Sequence, residues 1–187
     1  MQEKENVMRI LQEAKDAIKN NDSFKLKDLS DQTIHTASIT QDPDNIAVAV
    51  AIYSLSKIVE RRKFQEFPGW GDFYKSIIST FDDLSNALRK KDDKQLRESL
   101  ALIQKIISKL SGALKIYIQD VFRKAQINKA SKIYEHGISM EKTAHLLGVS
   151  LYELASYAGQ KPETYEVPLT KTLDVKSRIK LAEDMFK

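Results

Sequence analysis

Apolar side chains recur every three or four positions along most of this chain, and this spacing constrains the fold more than any other feature. Residues 2–20 show it first, since Val7, Leu11, Ala14 and Ile18 share one face of a helix. Only 6 glycines and 4 prolines occur in 187 residues, too few for a sandwich or a loop-rich barrel. The sequence therefore predicts an all-α fold.

The periodic segments predict a body of five helices. Residues 46–52 alternate Ile, Ala and Val without a polar face, which is typical of a helix at the centre of a bundle. A strand is rejected there because the helical pattern continues through Leu55, Ile58 and Val59. The predicted helices cover residues 2–20, 24–39, 44–65 and 72–90, and a fifth begins at Asp92.

The fifth pattern is interrupted at Ser111 and Gly112 and resumes at Leu114. Either one long bent helix or two separate helices would satisfy the spacing of residues 92–136. Two hairpins of the body also resemble each other, since AIKNNDSFKLKDLS at 17–30 matches ALRKKDDKQLRESL at 87–100. Similar capping needs explain the match, and a duplicated helical hairpin is the alternative.

Residues 130–160 predict two short helices joined by a tight turn, after a lead-in helix. Ala144 is the small residue that allows the helices to cross closely, and Gly148 suits a left-handed turn. Ser150 and Glu153 have the spacing of a capping box. Val149 and Leu154 have the spacing of a hydrophobic staple across that cap. Two further glycines, Gly137 and Gly159, are predicted to end helices in the left-handed conformation.

The pattern Ala130-x-x-x-Tyr134-x-x-Gly137-x-Ser139, followed by Ala144-x-x-x-Gly148-x-Ser150, resembles the helix-turn-helix superfamily. The likeness is to the small units of prokaryotic and archaeal antitoxins and transcription regulators, and it covers only residues 124–160. It implies that the second helix enters the major groove of double-stranded DNA and that dimers read two half-sites. The groove-facing positions that it implies are Ser150, Leu151, Tyr152, Ala155, Ser156, Gln160 and Lys161.

One departure from the helix-turn-helix pattern leaves a second function open. Residues 149–160 contain no Lys or Arg, although phosphate contacts and most base contacts need such side chains. The cations that could grip phosphate lie on the preceding helices: Arg123, Lys124, Lys129, Lys132 and Lys142. The sequence therefore supports a DNA-binding regulator and, as the alternative, an assembly protein that uses the same module to dock another protein.

The chain divides into a helical body at 1–112, the module with its lead-in helix at 113–160, and a C-terminal arm at 161–187. The arm is predicted to end in an amphipathic helix that begins after Asp174. Such a helix needs a groove for its apolar face, on the body or on a second subunit. We therefore expect a homo-oligomer.

Composition argues against an enzyme and against a membrane protein. There is no cysteine, and none of His35, His136 and His145 is followed three or four positions later by an acidic residue or a histidine, so neither a metal nor another cofactor is expected. No nucleotide-binding or acyl-transfer motif occurs. The longest apolar run spans residues 46–53 and the N-terminus lacks a signal-peptide pattern, which predicts a cytoplasmic protein. The formal charge of +4 is mild, with +1 in residues 1–112 and +3 in residues 113–187.

Overall fold

A computed structural model describes residues 3–61 and 65–160 of the chain. The described residues form helices and no strand, so the predicted all-α fold is confirmed. Their bounds are α1 Lys4–Lys19, α2 Ser23–Thr40, α3 Pro43–Glu60, α4 Trp70–Lys90, α5 Asp93–Lys109, α6 Gly112–Glu135, α7 Met140–Leu147 and α8 Leu151–Gln160. The predicted C-terminal helix and Lys161 lie outside the described residues.

Short acidic side chains start three of the body helices. Asp22 and Asp92 each accept a hydrogen bond at 2.9 Å from the backbone amide three residues ahead, and Asp42 accepts one from Asp44, also at 2.9 Å. These bonds satisfy amide groups that the first turn of a helix cannot pair internally. Pro43 occupies the first turn of α3, where its missing amide proton costs nothing.

The prediction that the third helix extends to residue 65 is wrong. Helix α3 ends at Glu60, and Arg61 leaves the helical region with φ −108° and ψ 74°. The amide of Arg61 bonds the carbonyl of Ile58 at 3.3 Å, three residues back, so the final turn tightens there. The apolar pattern itself stops at Val59, and the charged residues beyond it carried no information about the helix end.

The two similar hairpins adopt the same turn geometry. Asn21 after α1 and Lys91 after α4 are both left-handed, with φ of 54° and 56°. The amide of the next residue then bonds the carbonyl five residues back, at 2.8 Å for Asp22 and 2.9 Å for Asp92. The resemblance between 17–30 and 87–100 therefore reflects the same helix-ending turn and the same aspartate cap, formed twice.

Helix α3 lies at the centre of the bundle. It packs against α1, α2, α5, α6 and α7, and most of its side chains are buried. Small residues such as Ala49 and Ala51 let neighbouring helices approach closely, and Ser54 satisfies its hydroxyl by donating to the carbonyl of Val50 at 2.8 Å. The predicted central position of this helix is confirmed.

The interruption at Ser111 separates two helices. Helix α5 ends at Lys109, Leu110 is extended with ψ 156°, and Gly112 starts α6 with φ +58°. Helix α6 then runs for 24 residues and contacts α2, α3 and α5 of the body as well as α7 and α8. One continuous core includes Ile118 near the start of α6 and Ile133 near its end. The division of the chain at residue 112 stays a prediction.

Candidate functional site

The turn between α7 and α8 has the geometry that the glycine spacing predicted. Gly148 is left-handed at φ +63°, which a side chain would disfavour. Its amide bonds the carbonyl of His145 at 3.3 Å, and the amide of Val149 bonds the carbonyl of Ala144 at 3.0 Å. This pair of bonds ends α7 and turns the chain directly into α8.

Helix α8 begins with the predicted capping box. The amide of Glu153 donates to Ser150 Oγ at 3.1 Å, and the amide of Ser150 donates to Glu153 Oε2 at 3.0 Å. Val149 and Leu154, the predicted staple residues, are both buried. Gly137 is left-handed at φ +87° as predicted, but Gly159 lies inside α8, so the prediction that it ends the helix in a left-handed turn is wrong.

Arg123 on α6 fixes the start of α8. Its guanidinium donates from Nε to Glu153 Oε1 at 3.0 Å and from Nη2 to Oε2 at 2.5 Å, and Nη1 reaches the carbonyl of Gly148 at 3.0 Å. These bonds, with those from Ser150, lower the pKa of Glu153 to about 2. Arg123 was expected to contact phosphate, yet its Nε, Nη1 and Nη2 groups all donate to the turn between α7 and α8.

The outward face of α8 is uncharged and carries large apolar side chains. Leu151 is 50% exposed and Tyr152 is 80% exposed, while Ala155 is exposed one turn further along. Ser150 is exposed at the start of the helix, and Ser156 is half-buried beside the body. Glu153 is the only charged residue of α8, and Arg123 neutralises it.

Lys129 is not on the surface. Its side chain is 0% exposed, and its ammonium lies 2.8 Å from Asp31 Oδ1 on α2 and 4.2 Å from the centre of the Tyr53 ring on α3. Burial lowers the pKa of Lys129 to about 8 despite the opposing effect of Asp31. A buried ammonium cannot touch a phosphate outside the protein, so Lys129 does not belong among the candidate phosphate contacts.

The other predicted cations are scattered. Lys132 lies 3.6 Å from Asp31, and Lys124 forms an exposed ion pair with Asp120 at 2.8 Å on its own helix. Lys142 is exposed and has no carboxylate partner among the described residues. Of Gln160 only the helical backbone is described, and Lys161 lies outside the described residues.

Sequence reasoning missed a cleft between α3, α6 and α8. Its volume is about 510 Å³, and two of the predicted groove-facing residues, Tyr152 and Ser156, line it. Asn128 on α6 donates to the Tyr157 hydroxyl at 2.9 Å across it, and burial raises the pKa of Tyr53 on its wall to about 12. The residues that line the cleft lie between positions 53 and 157 of the sequence. No local spacing of residues could therefore have predicted it.

The structure also brings together two histidines that are far apart in sequence. His136 Nδ1 lies 2.7 Å from the carbonyl of Lys132, so it donates there. The other nitrogen, Nε2, then accepts from His35 Nδ1 at 3.3 Å. No group of three or more His, Asp or Glu suited to a metal occurs within residues 3–61 and 65–160. In the same ranges, no helix is long and apolar enough to cross a membrane.

Comparisons of this chain with protein-family models, with curated proteins and with solved structures found no match.

Proposed function

We propose that this chain is a non-enzymatic interaction protein that docks a protein partner on the outward face of α8. The observation that carries the proposal is the exposure of Leu151 and Tyr152 on a helix with no uncompensated charge. Aromatic side chains are enriched and charges are depleted at the centres of protein interfaces. A helix that reads DNA needs the opposite composition.

The support for the partner comes from the rigidity of this face as well as its composition. Arg123 and the capping box hold the first turn of α8, and Leu154 anchors its inner side in the core at 0% exposure. Leu151 and Tyr152 are therefore presented on a fixed helix, so little conformational entropy is lost when a partner binds.

Photo-crosslinking tests the docking proposal directly. A benzoylphenylalanine placed at Tyr152 should give one defined crosslinked species in cells that express the chain, whether with another protein or with a second copy. The same group placed at Phe24 is the matched control, because that aromatic residue of α2 is 86% exposed. Leu151→Ser should remove the Tyr152 species while leaving the helical circular dichroism unchanged.

Two outcomes of this experiment would overturn the proposal. Equal crosslinking from Tyr152 and Phe24 would show that the α8 face is not selective. A defined species that persists in Leu151→Ser would place the partner on another surface.

Binding of double-stranded DNA is the second candidate function, and one observation favours it. Lys124 on α6 and Lys142 on α7 are exposed on the two helices that flank α8, and Ser150 is exposed where α8 begins. In the helix-turn-helix modules that residues 124–160 resemble, the first helix of the pair crosses the DNA backbone, and Lys142 lies on the corresponding helix, α7. Helix α8 would then contribute shape and apolar contacts rather than charge.

Salt dependence separates the two candidates. If the chain binds DNA, its affinity for a random-sequence duplex should fall as salt rises, with a logarithmic slope of about −2 for two phosphate contacts. Lys124→Gln with Lys142→Gln should flatten that slope, and Lys75→Gln with Lys105→Gln, also exposed, should not. A chain that shows no duplex binding in fluorescence polarisation at low salt is not a DNA-binding protein.

A further inference from the structure

The cleft between α3, α6 and α8 has the size and surface of a small-molecule site. Its volume of about 510 Å³ falls within the roughly 300–1,000 Å³ that is usual for ligand pockets. Val121, Ala125 and Ile127 of α6 form an apolar floor, and the aromatic rings of Tyr53 and Tyr157 stand on opposite helices. An apolar group of one or two rings would be removed from water there.

The charged groups that line the cleft favour an anion. Its two acidic residues are already neutralised, since Glu153 receives hydrogen bonds from Arg123 and Ser150, and Asp120 pairs with Lys124 at 2.8 Å. Lys57 also lines the cleft, and its partner Glu60, at 2.8 Å, does not line it.

The ion pairs that Lys57 and Lys124 form within the protein are weak, so a ligand can replace them at little cost in free energy. Lys57 and Glu60 are 34% and 52% exposed, and Lys124 and Asp120 are 73% and 48% exposed. Exposed pairs of this kind contribute about 0–1 kcal/mol each. A ligand carboxylate that is held against the protein by its apolar body can therefore displace Glu60 from Lys57. It can share the Lys124 ammonium, which has three donors, with Asp120, so that Asp120 stays neutralised. Arg61 adds a third cation to the lining.

We propose that this cleft binds an amphipathic organic anion, a compound with an aromatic or branched apolar body and a single carboxylate. The apolar body lies on the floor formed by α6, and the carboxylate lies between Lys57 and Lys124. The proposal does not depend on what docks on the outward face of α8, and it stands if that docking is disproved.

Titration of the full chain with 2-naphthoate tests the site. Backbone amide shifts in heteronuclear NMR spectra should cluster on α3, α6 and α8, at residues 53–61, 120–128 and 152–157. Ser156→Phe, which fills the cleft from a half-buried position, should abolish those shifts. Ser76→Phe is the matched control, because Ser76 is also half-buried and lines the other large cleft, between α4 and α5; it should leave them intact.

The charge requirement is tested separately with a neutral ligand of the same shape. Lys57→Gln with Lys124→Gln should weaken 2-naphthoate about a hundredfold, the loss expected for two charge-assisted hydrogen bonds at about tenfold each. Binding of 2-naphthylmethanol should be weaker than that of 2-naphthoate in the unmodified chain and unchanged by the two substitutions.

Three results would overturn the proposal. The first is an absence of shifts in the cleft of the full chain, and the second is shifts that cluster instead between α4 and α5. The third is equal affinity for the naphthoate and the neutral alcohol, which would show that the lysines do not select the ligand.

Discussion

At the scale of single residues, Lys129 shows how burial changes the chemistry of a side chain. From the sequence it is one lysine among several on a basic helix. In the structure its ammonium joins α6 to Asp31 on α2 and to the face of Tyr53 on α3. It connects three helices, because the surrounding protein removes its ammonium from water and leaves it the carboxylate of Asp31 and the ring of Tyr53 as partners.

The two members of this buried pair should respond differently to substitution. Asp31→Asn leaves an ammonium without its counter-ion and should cost about 2 kcal/mol of unfolding free energy. At pH 7, Lys129→Met should change stability by less than about 1 kcal/mol, because Asp31 is 33% exposed and keeps Lys132 at 3.6 Å. Urea unfolding measures both, with exposed Asp28→Asn as the control. A larger loss for Lys129→Met than for Asp31→Asn would contradict this account.

The pH dependence of stability follows from the same residue. The pKa of Lys129 is about 8 in the folded chain, below its ordinary value of 10.5. Between these values the unfolded chain binds more protons, so the contribution of Lys129 to stability rises with pH. The contribution of Lys129 to the free energy of unfolding should increase by about 3 kcal/mol between pH 7 and pH 10.5. It is measured as the difference in unfolding free energy between the unmodified chain and Lys129→Met from pH 7 to 10.5. A difference that is flat or falls with pH would contradict the assignment.

At the scale of elements, helix ends were predictable wherever local chemistry fixes them. Asp22, Asp92 and Ser150 cap helices with their own side chains, and the left-handed Gly148 ends one, so each signal lies within a few residues of its effect. The end of α3 at Glu60 was missed because charged residues can either continue or follow a helix. Gly159 was misassigned because glycine is compatible with a helix interior as well as with its end.

The repeated turn gives a prediction about helix ends. Lys91 is left-handed at φ 56° and carries a side chain that disfavours this conformation. Lys91→Gly should therefore stabilise the chain by about 0.5–1 kcal/mol in thermal or urea unfolding. Asn21→Gly should give a smaller gain, because asparagine tolerates the left-handed region.

Arg89→Gly is the control for this pair, since Arg89 is exposed within α4 and ends no helix. It should destabilise the chain by about 1 kcal/mol. If Lys91→Gly destabilises the chain as well, the left-handed turn is not what limits stability at that position.

At the scale of the whole molecule, α6 joins the body to α7 and α8 in one core. Phe122 is 7% exposed and lies where α3, α5, α6 and α7 meet, beside Leu146 and Leu147. Side chains from α7 therefore pack on the same surface as side chains from the body. The helices that carry the candidate docking face and the cleft are positioned by that shared packing.

Truncation of Phe122 tests this coupling. Phe122→Ala should cost about 3 kcal/mol, because a buried ring is replaced by a cavity. Unfolding followed by Trp70 fluorescence, which reports the body, should shift together with unfolding followed by helical circular dichroism. Phe24→Ala, at a residue 86% exposed, should change stability by less than about 0.5 kcal/mol. A shift in the circular dichroism alone would show that α7 and α8 unfold independently of the body.

The sequence by itself determined the helical class, the central position of α3 and the turn that joins α7 to α8. Each depends on apolar periodicity or on side chains that act within one helical turn, so residues close together in the sequence are enough to predict it. Only the tertiary structure decided that Lys129 is buried, that Arg123 holds Glu153, and that α3, α6 and α8 enclose a cleft. These features join residues 30 to about 100 positions apart, and their partners are selected by the packing of whole helices, which no local pattern encodes.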